Sequence, residues 1–159
     1  MGAQANDTGP LAGVRVLDLT TILLGPLATQ ILGDMGADVI KVEAPGGDAI
    51  RDVGPAPSDG LGAVFIGTNR NKRSLALDLK QASAREALLR LARSADVFVH
   101  NMRPQAISRL GLGYDEVAAA NPRIVYCGTY GFAEHGPYGH KPAFDDMIQA
   151  ASGLAALQG

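Results

Sequence analysis

Near its start the chain carries a strand, a helix and a second strand within roughly thirty residues, the size of a βαβ unit. "VRVLDL" (14–19) is a short apolar run of strand type. "GPLATQILGDMG" (25–36) follows, with Gly25 and Pro26 suited to a helix start and Pro26 expected at the first helical position. Leu27, Ile31 and Met35 recur at helical spacing, and Gly36 supplies a stop. "ADVIKVE" (37–43) is the next strand. Two strands joined by a crossover helix run parallel, and parallel strands are covered on both faces.

The alternation continues. Residues 44–62, "APGGDAIRDVGPAPSDGLG", form a Gly/Pro-rich connection longer than most, a length usually kept for function or mobility. "SLALDL" (74–79) is strand-like, and "QASAREALLRLARSA" (81–95) is a helix with Ala84, Leu88, Leu91 and Ala95 on one face. "DVFVHN" (96–101) is a strand, residues 103–113 and 114–121 read as short helices, and "RIVYCGTYG" (123–131) reads as a buried strand. A turn-rich loop (132–142) and a last helix, "FDDMIQAASGLAAL" (144–157), complete the chain. The expectation is an α/β fold, a parallel sheet with helices on both faces, in which 14–19, 37–42, 97–101 and 124–128 are neighbours. Residues 1–10 are expected to be a loose tail, and residues 11–159 the folded part. Ligands bind such sheets beyond the carboxyl ends of the strands. Those ends are "TTILLGP", "APGGD", "KQAS", "NMRPQ" and "GFAEHGP".

Bulk properties remove several function classes. With 159 residues, 47% hydrophobic and 19% charged, the composition is that of an ordinary globular domain rather than a disordered chain. A formal net charge of −2 gives no chain-wide attraction to nucleic acid or anionic lipid, so neither partner is expected. No apolar run approaches the ~20 residues of a membrane helix, and no signal-peptide core stands at the start. Cys127 is the single cysteine, which rules out an internal disulfide and suits a reducing cytoplasm. His100, His135 and His140 do not cluster with Cys127 at zinc-like spacing, so no metal is expected. Neither a dinucleotide fingerprint, a Walker loop nor a nucleophile elbow is present.

Two clusters remain as candidate chemistry. Asp145 and Asp146 open the last helix, either as caps or as catalytic carboxylates. Asp146 with Gln149 three residues on resembles a capping box, which leaves Asp145 free to face a ligand. "NRNKRS" (69–74) packs three cations into six residues, either a solvated turn or a phosphate-facing loop. Arg103 and Arg109 follow the strand 96–101 and offer a second anion contact. From the residues alone, this is an α/β domain that binds an anionic small molecule.

The ordered blocks "LAGVRVLDLTTILLGPLATQILGDMGADVIKVEAPGGDAIR", "NRNKRSLALDLK", "ADVFVHNMRPQAISRLGLGYDEVAAANPRIVYCGTYGF" and "FDDMIQAASGL" resemble the class III CoA-transferases. These are the formyl-CoA, carnitine and bile-acid CoA-transferases, with the α-methylacyl-CoA racemases as relatives. The resemblance runs from Leu11 to Gly159. It implies a Rossmann-like domain, an interlocked homodimer, and coenzyme A (CoA) or acyl-CoA as substrate with no permanently bound cofactor. It also implies transfer of CoA from an acyl-CoA to a carboxylic acid acceptor through enzyme-bound anhydride and thioester intermediates.

Residue by residue, the resemblance implies that Leu77, Asp78, Leu79 and Lys80 contact the adenosine end of CoA. It gives Asn101, Met102 and Arg103 a second contact strip and makes Arg109 a further CoA contact. Phe144 and Asp145 become walls near the thioester. Leu23 and Leu24 fall where formyl-CoA transferase has an active-site Gln-Ala pair, and the missing Gln argues against a formyl or oxalate substrate. The nucleophilic Asp lies in a later motif, beyond Gly159, so no catalytic residue is expected within these residues and the chain reads as an N-terminal part of a longer enzyme. Two other readings are a racemase-like isomerase and a non-catalytic acyl-CoA-binding module. The first meets Phe144 where racemases place a proton-carrying His.

Overall fold

The computed structural model of the protein describes residues 8–158. It comprises two compact units, divided between Gly128 and Thr129. The first contains a five-stranded sheet of β1 (Arg15–Leu19), β2 (Asp38–Glu43), β3 (Lys72–Ala76), β4 (Val97–His100) and β5 (Val125–Gly128). The strand order is β3-β2-β1-β4-β5 and every pairing is parallel, as the alternating pattern requires. The helices of this unit are α1 (Leu24–Asp34), α2 (Ala63–Asn69), α3 (Ala82–Ala92), α4 (Pro104–Arg109) and α5 (Tyr114–Ala120), with a short 3-10 turn at Ala49–Asp52. The second unit contains α6 (Asp145–Ser152) and α7 (Leu154–Gln158).

The two faces of the sheet differ in chemistry, because alternate residues of a strand point to opposite sides. On one side Leu17, Leu19, Ile40, Val42 and Phe98 join Leu88 and Ala92 of α3, Ile107 of α4 and Val117 of α5 in the larger apolar core. On the other, Val16, Val39 and Val99 pack with Leu32 of α1. That second face also carries Asp18 and Lys41, both buried. Asp18 accepts hydrogen bonds from Thr29 Oγ1 of α1 at 2.6 Å and from Lys72 Nζ at 2.9 Å.

This polar layer explains an outcome that helical spacing alone does not predict. The buried positions of α1 are Gly25, Pro26, Thr29, Gln30 and Gly33, small or polar residues that fit the charged sheet face. The stripe of Leu27, Ile31 and Met35 is exposed, as is Leu24. Pro26 stands third in the helix, not first, still within the first turn where its missing N–H leaves no intrahelical bond unmade.

Three further expectations are corrected. The strand 123–131, read as buried, shortens to β5, an edge strand with Val125 60% exposed, because its far side has no neighbour among the described strands. The basic run 69–74 does include an exposed turn, at Arg70 and Asn71, but it is not a phosphate loop. It ends α2 and opens β3 at the amino end of the sheet, and its cations are taken: Arg70 pairs with Asp34, Lys72 with Asp18 and Arg73 with Asp38. At the start of α6, Phe144 is the cap residue and Asp145 and Asp146 are already helical, so there is no capping box. Instead Asp145 accepts from Gln149 Nε2 at 2.7 Å, the ordinary i, i+4 neighbour on a helix.

Of the expected tail, residues 1–7 lie outside the described residues. Gly9 already belongs to a turn that accepts from Ala12 N–H, and Leu11 N–H donates to Met35 O. Among the described residues no helix is long and apolar enough to cross a membrane.

Candidate functional site

In this strand order the chain winds outward in both directions from β1 and β4. Their carboxyl ends therefore leave a crevice, the topological switch point where open α/β sheets take ligands. Beside it lies a groove of about 260 Å³, lined by the ends of β1 and β2 (Leu19, Thr21, Val42, Glu43), by Gly47 and Asp48, by Leu77–Lys80 and by Met102 and Leu110.

Five of the residues singled out from sequence thus share one groove: Leu77, Asp78, Leu79, Lys80 and Met102. Leu77 N–H extends the β3 ladder to Glu43 O at 2.8 Å. The next residues turn away from the sheet, where Asp78 accepts from Lys80 N–H at 3.1 Å. Arg85, which sequence reasoning passed over, fastens this turn by donating to Leu79 O at 3.0 Å and Lys80 O at 2.8 Å. The Lys80 ammonium makes no hydrogen bond among the described residues and remains open to an anion.

The other singled-out residues stand elsewhere. Asn101 follows β4 and spans the switch point, accepting from Thr21 N–H at 3.1 Å and donating to Thr21 O at 2.9 Å. Its side chain is therefore already employed in holding the end of β1. Arg103 takes the cap position of α4 and is exposed. Arg109, also exposed, ends α4 and bonds back to Gln105 O at 3.0 Å, and its neighbour Leu110 lines the groove. Leu23 and Leu24 lead from the end of β1 into α1 and are exposed at the crevice. Phe144 and Asp145 belong to the second unit.

Sequence reasoning also missed a chain of buried charges behind the groove. Lys41 Nζ donates to Asp48 Oδ2 at 3.1 Å and to Thr20 O at 2.9 Å. Asp48 N–H donates to Glu43 Oε1, and Glu43 pairs with Arg51 at 2.6 Å. Arg51 in turn lies over the ring of Phe65. Burial pushes the Glu43 carboxyl up, but the bonds from Arg51 and the Asp48 N–H outweigh it, and the acid is held below its ordinary value. Burial lowers Lys72, only partly offset by Asp18, and burial likewise lowers His100 at the end of β4. The signal for this network was Lys41 between Ile40 and Val42 in the strand "DVIKVE", since a buried ammonium must find an acid.

A doubly wound parallel sheet with a groove beside its switch point defines the class: a Rossmann-like α/β domain. Residues 11–159 match the model of CoA-transferase family III, and the chain belongs to that family. It is 44% identical over 151 residues to a succinyl-CoA:glutarate CoA-transferase of Mus musculus, covering 94% of this chain and 35% of the relative. It is equally 44% identical over 156 residues to an acetyl-CoA:oxalate CoA-transferase of Acetobacter aceti, covering 98% and 40%. The crystal structure of a CAIB/BAIF family protein from Brucella suis superposes with a TM-score of 0.88 at 41% identity, over 92% of this chain and 40% of that one. The chain thus spans about two-fifths or less of the length of these relatives.

Proposed function

We propose that this chain supplies the CoA-binding part of a CoA-transferase that moves CoA from an acyl-CoA to a carboxylic acid. The groove at the carboxyl ends of β1 to β4 carries this reading. It gathers Leu77–Lys80 and Met102 in one place, with apolar walls from Leu19, Val42 and Leu110 and one open cation, Lys80. Apolar walls together with the exposed Lys80 suit a nucleotide base and its phosphates. Arg103 and Arg109 add positive charge beside it, Asn101 holds the end of β1, and Leu23 and Leu24 wall the reacting end.

In this reading the nucleophile is a carboxylate outside the present residues. The buried acids are occupied: Asp18 by Lys72, Asp48 by Lys41 and Glu43 by Arg51. Asp145 is engaged by Gln149, and Asp146 accepts from Met147 N–H at 2.9 Å. The external carboxylate attacks the thioester carbonyl and expels CoA thiolate, leaving a mixed anhydride. The thiolate returns to form an enzyme thioester as the donor acid departs, and the acceptor acid then removes the CoA by the same two steps. The CoA-transferase names of the relatives support this reaction class.

A homodimer in a cytoplasmic setting completes the proposal. The exposed apolar stripe of α1 supports a covering partner, and the free, exposed thiol of Cys127 supports a reducing compartment. Calorimetry of this chain with CoA tests the central claim. Binding is expected, and Arg109→Ala should weaken it by ~1–3 kcal/mol, the range for a charge-assisted hydrogen bond. Absence of CoA binding by the parent chain would overturn the reading.

A further inference from the structure

The turn joining β1 to α1 has a backbone that its own sequence disfavours, and the group that holds it comes from the loop after β2. Ile22 has φ of 71°. A β-branched residue in the left-handed region is an outlier, because its Cβ crowds the backbone there. Such geometry persists only where the surroundings over-determine it.

Three side chains do so. Asp48 accepts from Ile22 N–H with both carboxylate oxygens at 3.2 Å. Lys41 reaches the same carboxylate and also Thr20 O, one peptide to the other side of the turn from Ile22. Asn101 grips both the N–H and the C=O of Thr21, the residue between them. The Lys41 and Asp48 side chains are 2% and 0% exposed. A charged pair at that depth gains little over apolar packing as a source of stability. Its bonds to Thr20 O and Ile22 N–H are what a leucine or methionine pair could not supply.

We propose that Asp48 is a positioning residue. With Lys41 it clamps the Thr20–Ile22 turn in its left-handed form, and so fixes where Leu23 and Leu24 project at the switch point. Asp48 also lines the groove, so a ligand seated there lies against the carboxylate that sets the turn. The consequence for Leu23 and Leu24 as site walls rests on the CoA-transferase reading, whereas the clamp itself does not.

Asp48→Asn tests it, keeping the shape and withdrawing the charge. Amide hydrogen exchange by NMR should show Ile22 N–H exchanging ~10- to 100-fold faster relative to β1 amides such as Leu17, the factor a charge-assisted hydrogen bond represents. Adding Ile22→Gly should then restore the backbone shifts of Thr21 and Leu23, because glycine takes positive φ without penalty. Uniform loosening of all amides with no rescue by Ile22→Gly would overturn the proposal. Should Asp48→Asn fail to fold, Ile22→Gly alone decides. Relief of strain keeps or raises its urea midpoint, whereas a fall of about fivefold or more in the folded-to-unfolded ratio, the entropic cost of glycine, refutes the clamp. Calorimetry with CoA on the parent chain is separate: its failure removes the CoA reading and leaves these results to judge the clamp.

Discussion

Replacing Lys72 by Met probes the polar layer between α1 and the sheet. The Lys72 side chain is 2% exposed and that of Asp18 0%. The ammonium donates to Asp18 Oδ2 at 2.9 Å, to Pro26 O at 2.8 Å and to Asn69 Oδ1 at 2.8 Å. Breaking a buried pair by removing one partner costs about 3–5 kcal/mol. The lower end applies here, because Asp18 keeps Thr20 N–H at 2.9 Å, Thr20 Oγ1 at 2.5 Å and Thr29 Oγ1 at 2.6 Å. Met also refills most of the space of the lysine stem. Lys72→Met should therefore destabilise by ~3 kcal/mol, roughly 6–12 °C in melting temperature for a domain of this size. Urea unfolding followed by circular dichroism measures it. Lys72→Met with Asp18→Asn should cost clearly less than the sum of the single changes, since each single change strands one buried charge and the double strands none. A loss below ~1 kcal/mol for Lys72→Met, or strict additivity, would refute the claim that this pair organises the α1 face.

Gly25→Ala should destabilise despite the better helix propensity of alanine, by ~1–3 kcal/mol, because a Cβ at Gly25 would overlap the buried side chain of Thr20. A thermal melt at or above the parent value would show that α1 can move away at no cost. Stability should fall in acid in two stages. The value of His100 is lowered by burial, so below about pH 6.5 the unfolded chain binds a proton that the folded chain refuses. Glu43, held below 4.5, adds stability above that value, lost as pH falls through its folded value. Urea midpoints that stay flat from pH 7 to about 5 would contradict the first stage, and His100→Gln should abolish it. The apolar stripe of α1 should drive self-association, visible by light scattering, and Ile31→Lys should reduce it. A chain that stays monomeric at high concentration would contradict this.

Periodicity was enough for the parallel sheet, because apolar strands spaced by crossover helices have few other ways to bury both faces. It also sufficed for α3, where Leu88 of the expected face reaches the core, although the helix ends at Ala92 and Ala95 lies beyond it. The residues Leu77–Lys80 and Met102 were found through likeness of blocks, not through chemistry, since nothing in "LDLK" or "NM" reads as a site. What the chain order could not settle was which side of an amphipathic helix faces inward. In α1 the apolar stripe was the obvious choice, yet the sheet beneath it presents Asp18 and Lys41, and small or polar residues pack on that surface instead. Likewise, a run of cations reads alike whether it meets phosphate or carboxylate. Asp18, Asp34 and Asp38 lie 54, 36 and 35 positions from Lys72, Arg70 and Arg73, and only the folded chain brings them within reach. Local sequence determines which elements form. Which charges meet, and which faces are left for a partner, depends on contacts between residues that are distant in the chain, and these exist only once the sheet has assembled.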